Sequence, residues 1–122
     1  MEIAVRAHLI NDPAVQALVD TRIYPDVLPQ GVVYPAIRYH RIDTPRVYTK
    51  GGYAGLSRPR LQIDCYATTY VAVRNLAAAV RAAMERYPGP AVCENEQDGY
   101  EETPDPPVYV RTLEFRIWNE EA

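Results

Sequence analysis

Two histidines, two cysteines and a single serine are the first places to look for catalytic chemistry or a metal site in this 122-residue chain. Ser57 stands in "GLSRP", without the strand-to-helix elbow that presents a nucleophilic serine, so no Ser-His-Asp hydrolase is signalled. His8 falls in a helical stretch and His40 in a strand, and no nearby carboxylate or cysteine completes a ligand set around either. "KGGYAG" is glycine-rich, yet it lacks the Gly-Lys-Ser/Thr ending of a phosphate loop and does not lead from a strand into a helix. Glu94, Glu96, Asp98, Glu101, Glu102 and Asp105 follow one another without an intervening base, but not at the spacing of a calcium loop. Cys65 and Cys93 have apolar flanks and read as buried or half-buried thiols, too few for a disulfide framework. The expectation is a chain without catalytic residue, cofactor or metal, and so not an enzyme.

Charge and aromatic placement say more. A net charge of -3 argues against a dedicated nucleic-acid binder, which would carry a strongly basic face. Opposite the acidic run, bases gather at Arg38, Arg41, Arg46, Lys50, Arg58 and Arg60. Such segregation marks either solvated loops or a pair of complementary contact surfaces. Most of the 10 tyrosines are expected at core edges, their hydroxyls in water. Tyr48 and Tyr53 differ, because they lie beside Arg46 and Lys50 in a glycine-rich arm. An aromatic next to a base anchors a protein partner well, and it can also stack on single-stranded nucleic acid.

The elements that must position these residues follow from period and punctuation. Ile3, Ala7 and Ile10 fall at helical spacing, then Asp12-Pro13 supplies an N-cap and a first-turn proline for a second short helix with Val15, Leu18 and Val19 inward. "TRIYPDVLPQG" reads as loop, fastened to the core by Ile23, Tyr24, Val27 and Leu28. "VVYPAIRYHRI" is a strand with Pro35 near its start or on an edge. An irregular arm over about residues 43–58 leads to "LQIDCYATTYVAVRNLAAAV". There the apolar period changes from two to between three and four, so a strand passes almost directly into a helix. Leu61, Ile63, Cys65 and Ala67 share one strand face, Thr68 or Thr69 caps the helix, and Val73, Leu76, Ala77, Val80, Met84 and Tyr87 form its buried stripe. Pro88-Gly89-Pro90 ends it. Two further strands follow, joined by an acidic turn region over about residues 94–107, with Leu113, Phe115 and Ile117 alternating in the last. The order predicts one α+β domain over residues 1–122, a two-layer sandwich. It has an antiparallel sheet of about four strands, a long helix on one face and an N-terminal helix pair. No leader or membrane-length apolar run is present, which predicts a protein made in a reducing cytoplasm.

The combination of "RIYPDVLPQG", "YPAIRY", "RLQIDCYATTY" with its alanine-rich helix, and "VRTLEFRIW" resembles the tail-completion or tail-terminator proteins of long, non-contractile-tailed phages, also found in prophages and gene transfer agents. That resemblance implies a structural subunit of a hexameric ring at the head-proximal end of the tail tube, assembled in the bacterial host cytoplasm. Its implied partners are further copies of itself, the major tail tube protein and head–tail connector proteins, with DNA passing through unbound and no membrane involved. The residues expected at subunit or tube contacts are Arg46, Tyr48, Lys50, Tyr53 and Arg58 on the arm, with Glu94, Glu96, Asp98, Glu101 and Glu102 on the acidic run. An alternative is a small nucleic-acid-associated module that uses Tyr48, Lys50, Tyr53 and Arg58.

Overall fold

A computed structural model describes residues 1–43, 46–49, 52–57, 59–89, 91–101, 107–117 and 119–120, of which 46–49, 52–57 and 119–120 are described as backbone. Helices α1 (Glu2–Asn11) and α2 (Pro13–Val19) open the chain. Asp12 sits between them in an extended conformation, and its carboxylate accepts from the backbone N–H groups of Ala14 and Val15. Pro13 takes the first helical position, where no donor is required. The buried side of α1 differs from the expected one. Val5 and Leu9 point inward, whereas Ile3 is 87% exposed. Two apolar stripes compete on this helix, and docking against α3 selects the stripe that faces it.

Strands β1 (Ile23–Pro25), β2 (Ala36–Asp43), β5 (Arg60–Ala67), β6 (Ala91–Glu101) and β7 (Val108–Ile117) form a five-stranded sheet in the order β1-β2-β5-β7-β6. Four strands pair antiparallel, as expected, and β1 adds a fifth at the edge, parallel to β2. Its three residues fall within the segment read as loop, too few to show a period. Ile23 is buried there as expected, but Val27 points to solvent. Pro35 lies just before β2, where its missing N–H interrupts no ladder.

Helix α3 (Tyr70–Glu85) crosses one face of the sheet. Thr69 is its cap, accepting from the N–H of Ala72. Val73, Leu76, Ala77, Val80 and Met84 are buried as the spacing predicts, together with Ala83, and Tyr87 is half-buried. They meet Leu61, Ile63, Cys65, Leu113, Phe115 and Ile117 in the main core. The other sheet face is not left to water. Tyr66, Val108 and Val110 form a second cluster with Leu28 and Tyr34 of the long β1–β2 connection. Burial along β7 therefore switches phase, with Val108 and Val110 facing one side and Leu113 onward the other.

The arm expected to be irregular contains strands β3 (Arg46–Thr49) and β4 (Gly52–Ser57), an antiparallel hairpin joined by β8 (Asn119–Glu120) in a small second sheet. Regular structure reaches the acidic run as well. Residues 94–101 belong to the eleven-residue strand β6 rather than to a turn. Cys65 is buried, but Cys93 on β6 is exposed, because β6 is an edge strand with a bulge between Cys93 and Asn95. Among the described residues no helix is long and apolar enough to cross a membrane.

Candidate contact surfaces

β6 presents its acids to arginines of its own chain. Register sets Asp98 opposite Arg111, and the guanidinium binds the carboxylate with both arms, Nε to Oδ1 at 2.6 Å and Nη2 to Oδ2 at 3.1 Å. Arg111 also reaches Glu96 at 3.7 Å, whose other oxygen accepts from Arg81 of α3 at 3.1 Å. Arg116 donates to Glu94 at 2.8 Å, with Arg60 3.9 Å from the same oxygen. The hydrogen bond from Arg111 holds the Asp98 carboxyl below its ordinary value, and Asp98 in turn raises Arg111. Bidentate arginine–carboxylate geometry fixes orientation as well as charge. Glu94, Glu96 and Asp98 are thus engaged within the subunit, by arginines that the sequence keeps outside the acidic run.

Arg111 leads to an aromatic groove. Its guanidinium carbon stands 5.9 Å from the ring centre of Tyr70, at the start of α3. Tyr109 meets Tyr70 edge-on at 6.1 Å and Tyr100 at 5.0 Å. These three rings, with Val73, Gly99 and Val110, line a groove of about 320 Å³ between the helix and the free edge of β6. Tyr70 and Tyr100 are each about half exposed, at 50% and 52%. Aromatics that are half exposed in this way concentrate at interfaces.

On the opposite sheet face a charge is buried. Asp64 is 1% exposed, on a strand position expected to face away from the core. Its carboxylate accepts from Arg38 Nε at 3.0 Å, Gln62 at 3.0 Å and the Thr112 hydroxyl at 2.6 Å. Burial opposes the charge on Arg38, but the bond to Asp64 and the attraction of that carboxylate, with smaller help from Tyr66 and Glu101, together outweigh it and raise the guanidinium. Tyr66, beside this network, is pushed up to about 12 by burial. With every oxygen occupied, the network locks β2, β5 and β7 together and leaves no open position for a ligand.

The expected contact residues fall into two sets, the hairpin strands beyond one end of the sheet and the acids along β6, where Glu94 lies toward the hairpin end, 3.9 Å from Arg60, and Glu101 at the other. Arg46, Tyr48 and Tyr53 belong to the hairpin strands, whose side chains lie outside the described residues, as do Lys50 and Arg58 altogether. Glu94, Glu96, Asp98 and Glu101 are exposed on β6, while Glu102 lies outside the described residues. Sequence reasoning missed Tyr70, Tyr100, Tyr109 and Arg111. No local spacing unites them, since β6–β7 register and the docking angle of α3 bring them together. His8 and His40 lie apart: Nε2 of His8 donates to the Ala83 carbonyl at 2.6 Å, and His40 sits on β2. Among the described residues, no three histidine, cysteine, aspartate or glutamate side chains are grouped to hold a metal.

A family model described as "Tail completion protein gp17" matches residues 3–120. Among solved structures, a chain from one described as "Virion of native gene transfer agent (GTA) particle" superposes with a TM-score of 0.73 at 19% identity. The match covers 98% of this chain and 94% of that one, so the two share a fold. None of the curated proteins matches.

Proposed function

The chain belongs to the tail completion protein gp17 family and is a structural component of a virion tail, and from that premise we propose that it caps the head-proximal end of the tail tube as a ring. The cap ends tube polymerisation and offers a surface on which the filled head is joined. The observation that carries this reading is the family match, which leaves only two residues unmatched at each end of the chain. A ring also needs two different surfaces on each subunit, because head-to-tail contacts close on themselves only when one patch meets another. The basic hairpin and the acidic, aromatic end of β6 are such a pair. In this reading Arg46, Tyr48, Lys50, Tyr53 and Arg58 contact a neighbouring subunit or the tube. Glu101 and Glu102 extend the acidic side, and Glu94, Glu96 and Asp98 chiefly brace their own subunit. The further partners are the major tail tube protein and head–tail connector proteins. DNA crosses the ring without specific binding, as the overall acidity of the chain favours.

The test is removal of the protein from the particles that contain it. Tubes are then expected to overgrow and to stay separate from filled heads, as seen by length distributions in negative-stain images. Tails of normal length joined to heads in its absence would overturn the reading. Salt-sensitive binding of the purified protein to single strands would replace it with the nucleic-acid module.

A further inference from the structure

The two faces of the sheet are covered in unlike ways. The main core draws on all three helices and on the sheet face beneath them. On the other face only Tyr66, Val108 and Val110 are buried together, and the β1–β2 connection is their cover. Leu28 and Tyr34 make that contact, and both are half-buried. The Tyr34 ring stands 6.4 Å from that of Tyr66, tilted by 39°. No residue from 27 to 34 is fully buried, and Val27 and Val33 are 73% and 62% exposed. Among the described residues, no hydrogen bond joins residues 27–34 to β5 or β7 beneath them. The N–H of Val27 turns back to the Pro25 carbonyl at 2.7 Å, and that of Val32 to Pro29 at 3.2 Å. At Gly31, where φ is +76°, a Cβ would meet nothing within 4 Å, so the middle of the connection has open space beside it.

The ends are fastened, in contrast. The Asp26 N–H donates to the Tyr39 carbonyl at 2.8 Å. Arg22 donates through Nε to the Pro35 carbonyl at 2.9 Å and through Nη2 to the Leu18 carbonyl at 3.2 Å. We propose that residues 27–34 are a strap, pinned at Asp26 and Pro35, that lifts from the sheet as a unit while the main core stays folded. Lifting breaks no hydrogen bond between strap and strands, and gives up the contacts of two half-buried side chains. Segments with few buried apolar contacts are the ones that open locally, well below the free energy of global unfolding. The open form uncovers Tyr66, Val108 and Val110 as an apolar strip beside the Arg38–Asp64 pair. This motion belongs to the single subunit and does not depend on ring formation.

Thiol exchange in the full chain tests it. Cys93→Ser with Val108→Cys leaves one thiol under the strap and Cys65 in the main core as an internal reference. Alkylation rates at the two positions, scaled to an unfolded peptide, report how often each becomes exposed. Position 108 is expected to open about a hundredfold more often than Cys65, or more. Its rate should change little in dilute urea, because lifting the strap exposes little surface, while Cys65 follows global unfolding. Adding Leu28→Ala removes one of the two covering side chains and should speed position 108 about tenfold, with a smaller effect at Cys65. Equal exposure of the two thiols, or equal urea dependence, would show that the strap leaves only when the whole domain unfolds. A fast thiol at 108 that ignores Leu28→Ala would place the opening in the β7 end rather than in the strap. Either result overturns the proposal. Val110→Cys gives the same comparison if Val108→Cys prevents folding.

Discussion

Arg86, at the C-terminal end of α3, donates to the carboxylate of Asp12, 74 residues away, which at the same time caps α2. One residue thus ends α1 through its backbone N–H, and with its side chain starts α2 and fastens the N-terminal pair to the long helix. His8 makes a parallel tie, from α1 to the Ala83 carbonyl. Both contacts fall at the C-terminal end of α3, where the last carbonyls have no partner within the helix.

Asp12→Ala removes the cap and the ion pair together and is expected to cost about 1–2 kcal/mol in urea unfolding. Asp12→Asn keeps a capping oxygen, so its cost should be clearly smaller. The pH dependence has a definite sign. Burial pushes the Asp12 carboxyl up, but the bonds from Arg86, Val15 and Ala14 outweigh it and hold the carboxyl below its ordinary value. Its contribution is therefore complete above about pH 4, the ordinary aspartate range, and is lost as pH falls through the lowered native value. Unfolding curves of Asp12→Asn should lack this part of the acid sensitivity, and equal acid sensitivity in both proteins would contradict the assignment.

Asp64→Ala leaves Arg38 partly buried without its counter-charge and takes the acceptor from Gln62 and Thr112. The expected loss is about 3 kcal/mol, the low end for a broken buried pair because Arg38 retains some exposure. Asp98→Ala breaks an equally well-formed pair at the surface and should cost under about 1 kcal/mol. Comparable losses for the two variants in thermal unfolding would show that burial does not separate them.

Reversing the Asp98–Arg111 pair should restore what either single reversal loses. Asp98→Arg places like charges side by side and adds a third base near Arg81. Adding Arg111→Asp brings the opposite charges back into the same cross-strand register. Recovery of the melting temperature in the double variant, measured as a coupling energy, is the expected outcome.

The two thiols should separate by reactivity. Burial pushes both up, Cys65 far more strongly than Cys93. Alkylation of the folded protein near pH 9 should add one equivalent, at Cys93, and the second only in denaturant. Two equivalents in the folded state would mean that the core around Cys65 opens.

What the sequence by itself determined is local. Asp12-Pro13 specifies a helix start, Thr69 another, and the change of period after Ala67 the passage from strand to helix. Each depends on groups within a turn or two along the chain, so the residues in question lie together in the text. The resemblance to tail-completion proteins was legible in the same way, from contiguous motifs. Tertiary structure decided which charges are solvated and which are paired. An unbroken run of acids reads as an exposed loop until β6 is laid against β7, where register supplies Arg111 and Arg116 from a segment the run does not include. Asp64 looks like an outward residue until the β1–β2 connection covers the face of the sheet beside it. The choice between two apolar stripes on α1, the parallel edge strand β1 and the three-tyrosine groove were settled in the same manner. Pairing across a sheet joins residues far apart in the chain, and period along one strand carries no information about its neighbour.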